Sequence, residues 1–427
     1  MTALDDLLRT GLDEAVAVVR PTEASRLAGA LVARRERRRR RTARRAVTLA
    51  AAVVVVLSSV AVLARQDRPD ASDRISNVPA PASFSGLGVG WHRLDTGPVP
   101  AMYAPSVVWT GSEVVVAGMV PGHARPLAYA YSPSSGDWRK LAAPPFDEAI
   151  TLAWAGDRVV AVGGSFPSAR SASWDPATNR WTDRGRPPVP QAMIETGFGG
   201  WRPIDSGAVL VWTGERLLDL THGSVYDPGA GSWTTLALPD HLLGRYGIGG
   251  FGHPVWDGHE VVLGTWSTEA GLAWNATGSS VREVPGLPSE LASPGVAQDE
   301  VATAWRGRVF VVSGTDAGTA ASFDSRTNTW RAEPSVPGMA GGEGCPYLLA
   351  TVGDRVVSMP CDGGEPTALA AGATTWRPTG PQPFATPCCG PTWVVADDVL
   401  VVWSTSTDTA NGEAAPFVRA SVWVPPA

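Results

Sequence analysis

Residues 154–181, WAGDRVVAVGGSFPSARSASWDPATNRW, contain the pattern that decides the fold. An apolar segment ends at Trp154, a turn with Gly156 follows, and a second apolar segment begins three residues later. Because glycine adopts positive φ without steric cost, this pattern is typical of a tight hairpin between two β-strands. A third segment ends at Trp174, and Trp181 follows seven positions later, after a turn rich in Asp, Pro and Asn. The stretch therefore predicts four consecutive antiparallel strands.

The same motif recurs along the chain. In each copy an aromatic or aliphatic anchor stands seven positions before a closing residue, which is Trp in all copies but the fourth. The pairs are Tyr131 and Trp138, Trp174 and Trp181, Tyr226 and Trp233, Trp274 and Val281, Phe323 and Trp330, and Leu369 and Trp376. A seventh anchor, Trp423, has no partner after it, whereas Trp91 opens the repeat region with no anchor before it. We therefore predict that an N-terminal strand around Trp91 completes the last repeat.

Four-stranded repeats at intervals of roughly 50 residues are typical of a β-propeller, because one unit cannot bury its own faces and must stack on its neighbours. Seven copies predict an all-β, seven-bladed β-propeller over residues 86–427, with the N-terminal strand closing the last blade. All 18 Trp lie in this region. Most of them are interpreted as core residues at repeat positions, whereas Trp201 and Trp266 fall outside the register.

The units resemble kelch repeats, the blades of the superfamily that includes the central domain of galactose oxidase. The resemblance covers residues 86–427 and rests on the strand-turn-strand core, the aromatic-Asp-Pro turn and the closing Trp. It implies a kelch-like, galactose-oxidase-like propeller fold. The double glycine of kelch repeats follows the second strand at Gly163-Gly164, but other repeats carry Ala117-Gly118, Leu263-Gly264 or Ser313-Gly314. The chain is therefore interpreted as a divergent kelch-like propeller.

Residues 46–64 contain no charged side chain and predict one transmembrane helix, because about 20 apolar residues cross the ~30 Å hydrocarbon core of a bilayer. Nine Arg between Arg34 and Arg45 precede this segment. The positive-inside rule then predicts that residues 1–45 form a short, helical, Arg-rich cytoplasmic tail and that the propeller is extracytoplasmic. Residues 65–85, rich in Asp, Ser and Pro, predict a flexible stalk. A cleaved export signal is the alternative interpretation of the apolar segment.

Charge divides the chain into two parts. Residues 1–45 carry 12 Arg and 6 acidic residues, and the whole chain has a net charge of −6, so residues 46–427 carry a net charge of −12. A net acidic extracytoplasmic part argues against nucleic acid as a partner. The tail contains no Cys or His, which excludes a zinc-binding tail.

The four cysteines are Cys345, Cys361, Cys388 and Cys389. An even number of cysteines in an exported domain predicts disulfides, and four cysteines allow three pairings. A bridge between the neighbours Cys388 and Cys389 would need a strained ring, so we expect each of them to pair with one of the other two. A metal site is the alternative, but no His or CxxC spacing accompanies the cluster, and no metal is expected.

Two enzyme classes share the propeller fold. A galactose-oxidase-like copper centre would need Tyr, Cys and two His, and the six His of this chain show no pair with evident ligand spacing. A sialidase-like site would need three converging Arg, which the sequence does not identify. No catalytic set is recognisable, so we expect neither an enzyme nor a cofactor.

In a propeller, the loops that enter each inner strand share one end with the turns between second and third strands. The longest segments of this kind are residues 182–207, 238–254 and 404–417. Long loops on a rigid scaffold commonly carry function, and they supply the candidate ligand-binding residues. These candidates are Arg186, Trp201, Arg202, Asp205, Arg245, Tyr246 and His253.

The sequence therefore predicts a membrane-anchored, extracytoplasmic propeller that acts as a non-catalytic binding or scaffold module for a protein, peptide or glycan. The alternative is a surface sensor that signals through its single span to a cytoplasmic partner of residues 1–45. A galactose-oxidase-like or sialidase-like enzyme is the third and least favoured interpretation.

Overall fold

The computed structural model describes most of the repeat region. The described residues are 84–164, 169–190, 208–238, 254–264, 270–291, 301–312, 318–337, 348–360, 364–383, 392–406 and 417–426. The predicted tail, span and most of the predicted stalk lie outside these residues, as do all four cysteines. Within the described ranges, no helix is long and apolar enough to cross a membrane.

Seven four-stranded antiparallel sheets follow one another, and they confirm the predicted all-β, seven-bladed propeller. A 3₁₀ turn, Phe84–Gly86, precedes β1 (Gly90–Leu94). Blade 1 contains β2 (Tyr103–Trp109), β3 (Val114–Met119), β4 (Leu127–Ser132) and β5 (Asp137–Lys140). Blade 2 contains β6 (Ile150–Trp154), β7 (Val159–Gly163), β8 (Arg170–Asp175) and β9 (Arg180–Gly185). Blade 3 contains β10 (Leu210–Trp212), β11 (Leu217–Asp219), β12 (Ser224–Asp227) and β13 (Ser232–Thr235).

The remaining blades have the same order from the inner to the outer strand. Blade 4 contains β14 (Val255–Trp256), β15 (Glu260–Leu263), β16 (Gly271–Asn275) and β17 (Val281–Val284). Blade 5 contains β18 (Val301–Trp305), β19 (Arg308–Val312), β20 (Ala320–Asp324) and β21 (Thr329–Glu333). Blade 6 contains β22 (Leu348–Val352), β23 (Arg355–Met359), β24 (Thr367–Ala370) and β25 (Arg377–Pro378). Blade 7 contains β26 (Thr392–Ala396), β27 (Val399–Ser406), β28 (Phe417–Val424) and, as its outer strand, β1.

The N-terminal strand closes the ring, as predicted. β1 pairs antiparallel with β28, and Trp91 lies opposite Trp423 with ring centroids 6.4 Å apart. The inner strands contact one another in sequence around the ring, and β26 of blade 7 contacts β2 of blade 1. The first and last strands of the described chain therefore belong to one sheet, which removes a free edge from blade 7.

The anchors set the register in every blade. The residue opposite each anchor on the second strand is aliphatic: Val114, Val159, Leu217, Val261, Val309, Val356 and Leu400. Buried side chains form seven hydrophobic clusters, each combining residues of two neighbouring blades. Since strand side chains alternate between the two faces of a sheet, each blade contributes to the clusters on both of its sides.

The closing Trp residues also link neighbouring blades by hydrogen bonds. The indole N–H donates to a backbone carbonyl that stands four residues after the closing position of the preceding blade. These bonds are Trp138 to Asp95 O (2.8 Å), Trp181 to Ala142 O (2.9 Å), Trp330 to Pro285 O (3.0 Å) and Trp376 to Pro334 O (2.8 Å). We call this set of indole bonds the Trp belt. It explains why the repeat keeps Trp rather than another aromatic residue, since the indole combines a large apolar surface with a donor.

Blade 4 keeps an indole bond of the Trp belt although its closing residue is not Trp. Val281 occupies the closing position there and lies opposite Trp274, the anchor. The indole N–H of Trp274 donates to Ala237 O at 2.8 Å, and Ala237 stands four residues after Trp233. The anchor thus supplies the bond that Val281 lacks.

Two further blades use a hydroxyl as the acceptor. Trp233 donates to Ser171 Oγ at 2.8 Å, and that hydroxyl donates to Gly185 O at 3.0 Å, four residues after Trp181. In the closing blade, Trp91 donates to Thr379 Oγ1 at 3.0 Å. The N-terminal strand therefore makes the same kind of inter-blade bond as the internal outer strands.

The two ends of the sheets differ in their connections. We call the end that carries the inter-blade connections and the turns between second and third strands the loop face; in blade 1 it comprises residues 120–126 and 141–149. The opposite end, the turn face, carries the first and third hairpin turns, which in blade 1 are residues 110–113 and 133–136. Thr110 N–H donates to Glu113 O at 3.0 Å, so the predicted tight first turn is confirmed.

Candidate binding face

In the sequence, the predicted ligand-binding residues belong to the two connections that precede and follow blade 3, between β9 and β10 and between β13 and β14. Arg186 is described, follows β9 directly and is exposed. The other candidates lie outside the described residues and stay predictions: Trp201, Arg202, Asp205, Arg245, Tyr246 and His253. The disulfide prediction for the cysteines stays a prediction for the same reason.

Blade 3, between these two connections, contains a buried ionisable pair at its loop-face end. Asp219 is 0% exposed and His222 is 2% exposed. The Asp219 carboxylate accepts the backbone N–H groups of Thr221 and His222, both at 3.1 Å, and its second oxygen lies 2.7 Å from Nδ1 of His222. Burying a carboxylate is costly unless its oxygens are hydrogen-bonded, and these three contacts offset that cost.

The pair holds the turn at residues 220–223 in one conformation. Thr221 Oγ1 accepts the N–H of Val209 at 2.8 Å, and Leu220 N–H donates to Val209 O at 3.0 Å. The turn is thus attached to the segment that enters the inner strand of blade 3. The pair also fixes the orientation of the His222 ring, in the way that a carboxylate orients an imidazole in many functional sites.

The sequence analysis missed this pair. It treated His222 only as one of six His without ligand spacing. The repeat register contains a sequence signal for this pair. Asp219 stands two residues after Leu217, the aliphatic residue opposite the anchor of blade 3. At this position the second strands of the other blades carry Val116, Ala161, Leu263, Val311, Ser358 and Val402. A charged residue at an otherwise buried strand position indicates a specific polar role.

A second departure from the repeat is Trp393, on the inner strand of blade 7. It lies opposite Val402, two positions before Val395. At the same register the described inner strands of other blades carry Val107, Leu152, Leu210, Ala302 and Leu349, none of which is exposed. Trp393 is 36% exposed. The sequence analysis named Trp201 and Trp266 as the exceptions to the register, and Trp393 is a further one.

A third departure is an irregular segment at the start of β2. The pairing of β2 with β3 shifts between Tyr103 and Ser106, and Ala104 has a φ of 47°. This is the left-handed region, which an L residue before a proline adopts only at a cost, and Pro105 follows directly. Tyr103, at the entrance of the inner strand, is 46% exposed. Strain of this kind persists only where the surroundings hold it.

Blade 7 holds this segment in place. The N–H of Met102, a fully buried residue, donates to Thr405 Oγ1 at 3.0 Å. Gly118 packs beneath it so closely that a Cβ there would lie 3.0 Å from Met102 and 3.2 Å from Pro105. The exposed Tyr103 is thus presented by a rigid segment rather than by a loose one.

Two exposed ion pairs lie on the described loop face. Arg125 lies 3.6 Å from Asp147, and Arg170 lies 2.8 Å from Asp183. The N–H of Gly185, followed by Arg170, holds the pKa of Asp183 below its usual value. These exposed pairs contribute little stability.

The turn face is connected internally by side-chain contacts between strands and blades. Arg139 makes a bidentate pair with Glu113, and this hydrogen bond raises the pKa of Arg139. Arg282 pairs with Glu260 and also donates to Asn328 Oδ1 at 2.8 Å in the next blade. Four indoles at one inner-strand register pack against the preceding blades: Trp109, Trp154, Trp212 and Trp256. The two Arg–Glu pairs join strands of one blade, whereas the indoles and the Arg282–Asn328 bond join neighbouring blades.

No group of three or more His, Cys, Asp or Glu able to hold a metal ion occurs within the described ranges. The chemistry that the described loop face offers is stacking on exposed rings and hydrogen bonding, on a backbone held by its neighbours.

No protein-family model matches the chain, and no curated protein sequence matches it. Among solved structures, the chain is similar to an oligogalacturonate lyase in complex with manganese, with a TM-score of 0.49 and 14% identity over 80% of this chain and 95% of that chain. It is also similar to a chain of a mitotic checkpoint complex, with a TM-score of 0.46 and 12% identity over 85% of this chain and 98% of that chain. At this level of identity the similarity concerns the fold alone.

Proposed function

We propose that this chain is a kelch-like propeller, anchored in the cell membrane, that binds an extracytoplasmic ligand on its loop face without catalysing a reaction. The observation that carries the proposal is the position of the departures from the repeat. Tyr103, Asp219 and Trp393 break the register in three different blades, and all three lie at the loop-face end.

The side chains of the two faces differ in their contacts. At the turn face, bidentate ion pairs join strands within blades 1 and 4, and indoles pack against the preceding blades. At the loop face, two aromatic rings stay partly exposed although the backbone that carries them is fixed. Pre-organised aromatic groups bind a ligand with little loss of conformational entropy, which favours a binding face.

The membrane anchor is supported by the sequence alone, through the uncharged residues 46–64 and the Arg-rich segment before them. The test is a full-length chain expressed in cells with a C-terminal tag. We expect the chain to stay in the membrane after carbonate extraction and the tag to be accessible to an impermeant reagent. A mature chain that begins at Arg65, or a protected tag, would contradict the anchored topology.

The binding face is tested with glycan and peptide arrays probed by the full-length protein. We expect at least one array signal that Tyr103→Ala or Trp393→Leu reduces by about tenfold, as truncation of an aromatic anchor does. The matched control is Arg326→Ala, an exposed residue in a third turn at the turn face, which should leave the signal unchanged. Equal loss in all three variants, or no array signal, would contradict the proposal.

A further inference from the structure

The N-terminal segment of the described chain follows the seam, which is the interface between blade 7 and blade 1. It supplies four side chains to the hydrophobic cluster that fills this seam: Phe84, Leu94, Val99 and Met102. All four are at most 7% exposed, and the other buried members of the cluster belong to blades 1 and 7. We call residues 84–102 the seam strap, because they pack along the seam.

At the turn face, Phe84 fixes the seam strap. The centroid of its ring lies 6.2 Å from that of Trp109 and 6.1 Å from that of Tyr131. Trp109 and Tyr131 stand near the turn-face ends of β2 and β4, which both belong to blade 1. The N–H of Leu87 donates to Phe84 O at 3.1 Å and closes the 3₁₀ turn. The segment before β1 is therefore held by blade 1, although β1 itself belongs to blade 7.

At the loop face, the seam strap is fixed to both blades. Gly97, with a φ of 51°, packs so closely on blade 1 that a Cβ there would lie 2.6 Å from Cδ1 of Trp138. The N–H of Met102 donates to Thr405 Oγ1 of blade 7, and this hydroxyl donates to Phe417 O at 3.0 Å. Both ends of the strap are thus held by contacts other than the pairing of β1 with β28.

The chain that precedes Phe84 leaves the ring at the turn face, opposite the proposed binding face. Gly90, the first residue of β1, pairs with Val424 at the turn-face end of β28, and Leu94 pairs with Ala420 nearer to the loop face. Hydrogen bonds between antiparallel strands are perpendicular to the strands. A pull on the preceding chain, against a hold on the loop face, therefore acts along β1 and loads its five paired residues together.

A pull between the segment before Phe84 and the segment after Val424 would act differently. Both segments leave the sheet at its turn-face end, so this pull would separate Gly90 from Val424 first and then each following pair. The pairing of β1 with β28 is therefore strong in one direction and weak in the other.

We propose that the seam strap resists tension between the membrane anchor and a ligand held on the loop face. This inference rests on the proposed function and adds a mechanical role to it. An anchor before Phe84 and a ligand on the loop face pull on opposite ends of the sheets, so the load runs parallel to the strands. Phe84 meets this load first, and the paired strands β1 and β28 meet it second. Together they keep the ring closed while the ligand stays bound.

The test is the pulling of single full-length molecules in detergent micelles with magnetic tweezers. Every molecule carries one handle at its N-terminus, and the second handle is either inserted between Ser289 and Glu290 or attached after Ala427. Ser289 and Glu290 are exposed and belong to the loop-face connection between β17 and β18, in blades far from the seam. The first geometry loads β1 along its axis, and the second separates β1 from β28 pair by pair.

We expect the force that releases β1 to be several times higher with the loop-face handle than with the handle after Ala427, at the same loading rate. Five residue pairs share the load in the first geometry, whereas one pair at a time carries it in the second. Equal release forces, or a lower force with the loop-face handle, would overturn the inference. Because both records use the wild-type sequence of the strap, the comparison does not depend on a substitution that impairs folding.

A pair of variants tests the hold by Phe84. With the loop-face handle, release of residues 84–89 should appear as an early extension of about 20 Å before β1 yields, since six residues span about 3.3–3.6 Å each. Phe84→Ala should abolish this step. The matched control is Val89→Ala, because Val89 lies in the same segment but is 65% exposed, and it should keep the step. A step that Phe84→Ala retains, or that the wild-type protein lacks, would overturn the assignment of this hold to Phe84.

The pulling records need no ligand, so they separate the seam strap from the proposed function. Equal release forces in the two geometries overturn the strap even if the arrays and the carbonate extraction succeed. If the forces differ as expected but carbonate removes the chain from the membrane, the proposed anchor is wrong and the strap closes the ring without carrying tension.

Discussion

The outer rim of the ring and the loop face use tryptophan in opposite ways. On the rim, Trp181 and its equivalents recur at one register, fill the space between blades and donate to the preceding blade. On the loop face, Trp393 stands where other blades have aliphatic residues, and it is partly exposed. In a repeat protein, the residue type alone therefore does not indicate the role of a tryptophan. The register of the tryptophan indicates its role, because a position that recurs in every repeat serves the contact between repeats.

The largest expected loss of stability comes from substituting Trp91, the outer-strand Trp of the blade that closes the ring. Trp91→Ala removes the packing on Trp423 and the bond to Thr379, and we expect it to lower the free energy of unfolding by about 3–5 kcal/mol, as for other large aromatic truncations. Urea unfolding of the purified protein measures this. Trp181→Ala should cost a similar amount. If Trp91→Ala unfolds like wild type, the N-terminal strand does not hold the ring closed.

The next effect concerns Asp219, a loop-face departure that is buried. Asp219→Ala removes the acceptor of two backbone N–H groups and the partner of His222, and we expect a loss of about 2–3 kcal/mol. Asp219→Asn, which keeps an oxygen acceptor, should lose less. Urea unfolding with a double-mutant cycle to His222→Ala measures the coupling. Zero coupling would show that the imidazole contact contributes nothing to stability.

A smaller effect tests the Trp belt in blade 4. Trp274→Phe keeps an aromatic anchor, as Phe323 does in blade 5, but removes the donor to Ala237 O. We expect a loss of about 1 kcal/mol, the net contribution of one hydrogen bond, in addition to the smaller ring. Val281→Trp in the same background places an indole at the closing position and should restore part of that stability. An unchanged unfolding midpoint for Trp274→Phe would show that this bond of the Trp belt does not stabilise the propeller.

Substitution of Tyr131 should change the free energy of unfolding little at neutral pH and more at alkaline pH. Burial, followed by the charges of Asp95 and Asp137, raises the pKa of Tyr131 to about 12 from its usual value of 10. The folded state therefore retains the phenolic proton between pH 10 and about 12, where the unfolded state loses it. Stability from this group is complete below pH 10 and falls as pH rises towards 12.

Tyr131→Phe tests that pH dependence. The buried hydroxyl has no hydrogen-bond partner in the described chain, and Phe323 occupies the same register in blade 5, so Phe should be accepted at pH 7. Between pH 10 and 12 the variant should lose about 2 kcal/mol less stability than wild type. Unfolding curves at pH 7, 10 and 11.5 measure this. Parallel pH profiles for the two proteins would contradict the assignment to Tyr131.

The sequence predicts the architecture of the outer rim but not the departures from the repeat at the loop face. Anchors such as Trp174 recur at a fixed spacing from their closing residues, and this periodicity predicts blade number and closure. The compensation by Trp274 was not predictable, because the sequence gives no indication that an anchor can reach the carbonyl of the preceding blade. Trp393 stands in an apolar run that resembles any inner strand, and its departure becomes evident only when the cross-strand register with Val402 is known.

The central claim, that register separates structural from binding tryptophans, is tested most directly by one paired measurement. The same substitution, Trp→Leu, is made at positions 181 and 393, and urea unfolding is recorded for both variants. We predict that Trp181→Leu loses about 3 kcal/mol or more, whereas Trp393→Leu stays within about 1 kcal/mol of wild type. Equal destabilisation by the two substitutions would contradict the claim, because Trp393 would then be a structural residue like those of the rim.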